Sequence, residues 1–353
     1  MPKRAQIVIS ALLAPMSLCM AMPVHAADVE SATEAWTPTQ SAIRANAAGI
    51  SLPQTVAGLS LAKSGEASSG GRAVDNYAQY LSEDGAIQAT LYVYMPTYAD
   101  ASLAAYMTDK AIMERFGSQT RRTAYASAPA AGQAGRAIRA VYDHAADGAL
   151  VTAAGFVHAG RWIAKIRITG PSDRRAEVLA GLDGMLSGLA FDDAASLHAT
   201  APAAFSACPA AETGDARLEK AEPATPSAPL DVRIPREGKD ALCVRGAVTT
   251  ADGRYDMLQQ AGRSDGPIIV PVDDSGTVLA FDPSAGQGND RGGYKLSIHM
   301  VGQTDLYGTY DKVPSPRQIA AIIDGKDAQT AQAQSVATYA ANGDVTMEAV
   351  QGH

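Results

Sequence analysis

The residues able to do chemistry are few, and most fail the spacing test for the reaction they suggest. GRSDG, Gly262 to Gly266, matches G-x-S-x-G, whose serine must sit on a strand-to-helix elbow beside an oxyanion donor. Here Pro267 and the strand-like run IIVPV follow, so the helix is missing and Ser264 reads as part of a Gly/Ser/Asp turn. GQGNDRGG, Gly286 to Gly293, approaches a dinucleotide loop but has Arg291 at the third glycine position and continues into a strand. His144, His158, His198, His299 and His353 show neither H-x-x-x-H nor H-x-x-E spacing, so each reads as a surface or partly packed residue rather than a ligand. Asp273, Asp274, Asp282 and Asp290 are the oxygen donors that calcium prefers, without the EF-hand spacing. No catalytic residue, metal or cofactor is assigned. A glycosidase-type carboxylate pair stays open, because its members can lie far apart in the chain.

The most patterned stretch is RWIAKIRIT, Arg161 to Thr169. Trp162, Ala164, Ile166 and Ile168 fall on one side of a period-2 strand, with Arg161, Lys165 and Arg167 on the other. Tyr92, Tyr94 and Arg139 fall on the polar sides of neighbouring alternating runs, so the sheet face is predicted to collect Tyr92, Tyr94, Arg139, Arg161, Lys165 and Arg167. Such a face suits an anionic or aromatic ligand, with arginine making bidentate contacts and tyrosine a rigid platform. The competing reading is the solvated face that antiparallel sheets commonly carry.

The elements that must position these residues follow from turns and caps. RAVDNYAQYLS and AIQATLYVYM alternate around Glu83-Asp84-Gly85, a hairpin signal, and Pro96 ends the second run. Asp100 reads as the N-cap of a helix through Phe116, with Leu103, Met107 and Ala111 on one face and Gly117 as its stop. Strands around 122–127, 135–144, 150–158 and 161–169 precede a second helix striped by Leu179, Leu182, Leu186 and Leu189. The predicted class is α+β, an N-terminal antiparallel sheet with two amphipathic helices on its Trp162 side, a Pro/Ala-rich linker, and a small β-dominated domain with one short helix. The expected boundaries are a signal peptide at 1–26, a lead-in at 27–48, the α+β domain at 49–191, the linker at 192–240 and the β-rich domain at 241–353. In the last of these, Asn342-Gly343 marks a hairpin and Pro314-Ser315-Pro316 opens the helix.

MPKRAQIVISALLAPMSLCMAMPVHA has Lys3 and Arg4 before an apolar run and ends in V-x-A, the form of a cleavable secretory leader. Leu18 before Cys19 argues against a lipoprotein anchor. Cleavage after Ala26 leaves Cys208 and Cys243, which lack the C-x-x-C spacing of redox or metal pairs and are predicted to form a disulfide in an oxidising compartment. The formal charge of -8 becomes about -10 without Lys3 and Arg4, which argues against a nucleic-acid or anionic-membrane partner. No later apolar run is long enough to span a bilayer, so no transmembrane segment is expected after cleavage.

ISLPQTVAGLSL, the tyrosine-rich hairpin ending in ATLYVYMP, the helix after it, and WIAKIRIT followed by a helix resemble a family of uncharacterised exported bacterial proteins. The arrangement is also similar to the PsbP/Mog1-like sandwich, over about residues 50–191. That resemblance implies a binding or assembly role and assigns no functional residues. The expected function is therefore a periplasmic or secreted non-catalytic protein that binds an unknown small molecule or an envelope protein. The alternative is a hydrolase of an envelope polymer, which would require a cleft holding a convergent acid/base set.

Overall fold

The computed structural model describes residues 35–68, 71–209, 214–219, 242–263, 265–284 and 292–350. The leader at 1–26, Ser264, Asp290, Arg291, His353 and most of the linker's second half lie outside the described residues.

The strongest alternating runs pair as neighbours. β5 (Leu59–Glu66), β6 (Asp75–Ser82), β7 (Gln88–Tyr94), β8 (Arg121–Ala130), β9 (Gln133–Ala145), β10 (Leu150–Ala159) and β11 (Trp162–Pro171), with the short β4 (Thr55–Val56), form one eight-stranded sheet in the order β4-β5-β6-β7-β11-β10-β9-β8. Every pairing in it is antiparallel. β1 (Trp36–Pro38), β2 (Ala42–Ala45) and β3 (Ile50–Pro53) form a second sheet that takes β12 (Ala190–Phe191) as its fourth strand.

The third sheet is a largely antiparallel meander of eight strands, β15 (Leu242–Thr249), β16 (Arg254–Gln260), β17 (Ile268–Pro271), β18 (Val278–Pro283), β19 (Tyr294–Met300), β20 (Gln303–Tyr310), β21 (Ser335–Tyr339) and β22 (Val345–Ala349). Two short strands from the expected linker join it: β13 (Ser206–Ala207) lies parallel to β15, and β14 (Leu218–Glu219) pairs with β20.

The α+β expectation is therefore corrected: the chain is predominantly β, with three sheets, and three α-helices among the described residues. Two physical reasons account for the difference. Segments with weak local pattern, the lead-in and the linker, become strands because distant partners supply their ladder hydrogen bonds. The two N-terminal helices also lack the expected amphipathic packing on one shared face.

Helix α1 (Ala101–Arg115) buries Ala101, Leu103, Ala104, Ala105, Met107 and Ile112, which surround much of its circumference. Ala101, Ala104 and Ala105 meet Ile138, Ala154, Phe156 and Ile163 of the eight-stranded sheet. Leu103 packs with Leu258, Ile269, Val278 and Ala280 of the third sheet. Held between two sheets, its first two turns have no solvated stripe to display, whereas Ala111, expected on the apolar face, is exposed in the last turn with Met113, Glu114 and Arg115. Helix α2 (Arg175–Gly188) covers the opposite face of the first sheet, where Val178, Leu182, Met185 and Leu186 join Ala164, Ile166 and Ile168. The expected stripe is buried here, with Leu182, Leu186 and Leu189 in the core and Leu179 packed against it, and the close approach also needs glycine: a Cβ at Gly181 would stand 2.6 Å from Ile168 Cδ1.

The third sheet is docked on the first by backbone bonds as well as by α1. Thr97 N donates to Met300 O at 3.0 Å, and Gly302 N donates to Met95 O at 2.9 Å. Cys208 and Cys243 form the expected disulfide, with Cα atoms 5.0 Å apart. Among the described residues no helix is long and apolar enough to cross a membrane.

Candidate functional site

Hairpin register decides which side chains of β6, β7 and β11 converge. Tyr77 is the Cα partner of Tyr92, and Tyr92 is the partner of Lys165, so these three form a row across the sheet. Residues two apart on a strand share a face. Asp75 and Tyr94 therefore join the row at one end, and Arg167 joins at the other. Helix α1 covers the β9 to β11 part of this face, over Ile138, Phe156 and Ile163. Over β6, β7 and the middle of β11 lies a cavity of about 240 Å³, lined by Ala67, Asp75, Tyr77, Tyr92, Tyr94, Lys165, Arg167, Asp274 and Ser275.

The cover of the cavity is the turn between β17 and β18. Asp273 Oδ1 accepts from the backbone N–H of Ser275, Gly276 and Thr277 at 3.0, 3.0 and 2.9 Å, which fixes the turn. Gly276 has φ +106, and a Cβ there would stand 2.7 Å from Pro96 Cβ, so the turn reaches the first sheet only with glycine. Asp274 then meets Lys165, whose Nζ donates to Asp274 Oδ2 at 2.7 Å and to Asp274 O at 3.1 Å. Lys165 Nζ also lies 5.3 Å from the centre of the Tyr92 ring. Thr108 of α1 donates to the same carboxylate at 3.3 Å.

Electrostatics divide the cavity. Burial lowers the Lys165 pKa, opposed by the Asp274 carboxylate. Burial alone would raise Asp274, but the charge and hydrogen bond of Lys165, with Arg167 beyond, hold it below the usual carboxylate value. Asp75 is raised by burial and by Glu66, against a smaller pull from Lys165. Burial, reinforced by Asp274, Asp273 and Asp75, pushes Tyr94 well above an ordinary phenol, so its hydroxyl stays a donor. That hydroxyl is buried and has no hydrogen-bond partner among the described residues. Arg167, its pKa lowered by burial, makes no ion pair among the described residues.

Of the six residues expected on the basic face, Tyr92, Tyr94, Lys165 and Arg167 line this one cavity. Arg139 does not: it pairs with Gly155, which lies under Leu182 and Leu186, so it belongs to the α2 face. There its guanidinium grips Asp183 of α2, at 2.7 and 3.2 Å. Arg161 sits in the turn before β11 and lies 5.8 Å from the ring of Tyr339 in the third sheet. Asp75 and Tyr77 were missed by the sequence reading, although the alternation of DNYAQYLS, carried through the Gly85 hairpin, puts them opposite Tyr94 and Tyr92. Asp274 carries no local signal for this position.

The three described members of the calcium grouping are engaged separately, and Asp290 lies outside the described residues. Asp273 caps its own turn, Asp274 holds Lys165, and Asp282 lies across from Lys295 on the next strand. Among the described residues no three His, Cys, Asp or Glu side chains gather as a metal site. Ser297 Oγ lies 3.0 Å from His299 Nε2, the spacing of a nucleophile and base. The His299 Nδ1 neighbours are the hydroxyls of Thr97 and Thr304, each at 3.3 Å, rather than an orienting carboxylate. Burial depresses His299 to about 4, so the ring is a neutral, packed member of the joint between sheets. The chain matches no protein-family model, and comparison with curated proteins and with solved structures finds no match.

Proposed function

We propose that the chain is an exported, non-catalytic binding protein, periplasmic or secreted, whose tyrosine-lined cavity takes a small polar ligand. The observation that carries this reading is a cavity of about 240 Å³ lined by Tyr77, Tyr92, Tyr94, Lys165 and Arg167. Arg167 adds a guanidinium free to take a carboxylate or phosphate in two parallel bonds. Tyr77 and Tyr92 supply flat walls at small entropic cost. The disulfide fits an oxidising compartment.

The test is native mass spectrometry of the protein recovered from its own exported fraction, repeated on Arg167→Gln. An added mass in the wild type that is absent from the variant supports the reading. Identical spectra with no added mass, together with no thermal shift from a panel of small anions and peptides, would reject it.

A second reading, a hydrolase of an envelope polymer, draws on one observation. Asp75 is pushed up and Asp274 is pushed down on the same cavity, the division that a general acid and an anionic partner require. Release of soluble fragments from envelope polymer, abolished by Asp75→Asn, would favour it over binding alone.

A further inference from the structure

The cavity is bipolar. At one end Asp75 has no hydrogen bond or ion pair to its carboxylate among the described residues, and Glu66 adds to the negative charge there. At the other end stands Arg167, likewise without an ion-pair partner, with Arg115 adding to the positive charge. Between them the Lys165 charge is already matched by Asp274, at 2.7 Å. The register sets the span: Asp75 is opposite Tyr94, which is opposite Ile163, four residues before Arg167. At ~3.3 Å per residue and ~4.8 Å per strand, the two Cα atoms are about 16 Å apart.

Resting on the binding reading above, we propose that the ligand is a zwitterion with well-separated charges, of the size and form of a dipeptide. Its carboxylate is taken by Arg167. Its ammonium faces Asp75, over the edge of Tyr77. A single α-amino acid is excluded by reach, since its two charges sit on adjacent carbons and cannot serve both ends. A simple anion would leave the half-buried Asp75 unmatched, and a simple cation the half-buried Arg167; a zwitterion compensates both. A cavity of about 240 Å³ also limits the ligand to roughly two residues.

The experiment is calorimetric titration of the full exported chain with four probes: Ala-Ala, N-acetyl-Ala-Ala, Ala-Ala-amide and N-acetyl-Ala-Ala-amide. The free dipeptide is expected to bind at least tenfold tighter than either singly blocked form. Asp75→Asn should abolish the discrimination against the N-acetyl form alone, and Arg167→Gln the discrimination against the amide alone. Blocked and free forms binding equally would overturn the zwitterion while leaving cavity binding in place. Failure of all four probes would also overturn it, and the added mass in the native spectrum then decides separately whether the cavity binds another class of ligand.

Discussion

Lys165 Nζ lies 2.7 Å from Asp274 Oδ2 and 3.1 Å from the carbonyl oxygen of the same residue, so one lysine of the first sheet holds the turn that covers the cavity from the third. The lysine side chain is only 7% exposed and the aspartate 30%, so the pair is shielded from water on its basic side. Attraction at this distance offsets desolvation rather than adding a large surplus, which makes the pair a device for position more than for stability.

Removing one partner exposes that balance. Asp274→Asn strands a buried ammonium and is expected to cost about 3 kcal/mol, whereas Lys165→Met with Asp274→Asn together recovers most of the loss. Urea unfolding of the two single variants and the double variant measures the coupling. Equal, additive losses would show that the contact holds nothing.

Asp75 contributes with the opposite sign. Its folded pKa is raised above 3.8, so the folded state prefers the neutral acid, and stability is lost as the pH rises from 3.8 through that raised value and stays lost above it. Asp75→Asn is therefore expected to raise the unfolding midpoint at pH 7 and to have no such effect below about pH 3.8, as thermal scans at the two pH values would reveal. A variant that is less stable at pH 7 would show that the carboxylate is instead matched by a partner.

His299 predicts an acid transition. The folded value is about 4 against 6.5 for the free side chain, so the unfolded chain takes up the proton first as the pH falls. Stability from this group is complete above 6.5, declines between 6.5 and 4, and is lost by roughly 3 kcal/mol in all. Comparing urea midpoints at pH 7 and 4.5 in wild type and His299→Asn checks it; the variant should lose most of the difference.

The disulfide closes a loop with a sequence separation of 35. Cross-linking a loop of that length restricts the unfolded chain by about 3–4 kcal/mol. Cys208→Ser with Cys243→Ser is expected to unfold at correspondingly lower urea, and reductant should shift the wild type alone. An unchanged midpoint would mean that the linker docks without the bond. Phe205, whose ring stands 4.8 Å from that of Tyr106, would then be the anchor to remove next.

What the sequence by itself determined was local. Asp100 accepts from Ser102 N and Leu103 N at the start of α1, Gly85 and Gly343 turn their hairpins with positive φ, and β7 and β11 alternate as their residues require. Each depends on backbone angles and hydrogen bonds within a few residues, which side-chain type controls directly. Alternation alone also assembled Tyr92, Tyr94, Lys165 and Arg167, because neighbouring strands inherit one another's face. Only the tertiary structure decided the remainder. Pairing with Gly155 sent Arg139 to the far face, the approach of a second sheet buried α1 on both sides, and Asp274 arrived over Lys165 from 109 residues away. These outcomes rest on many weak contacts between distant segments, and such contacts leave no periodic trace in either segment alone.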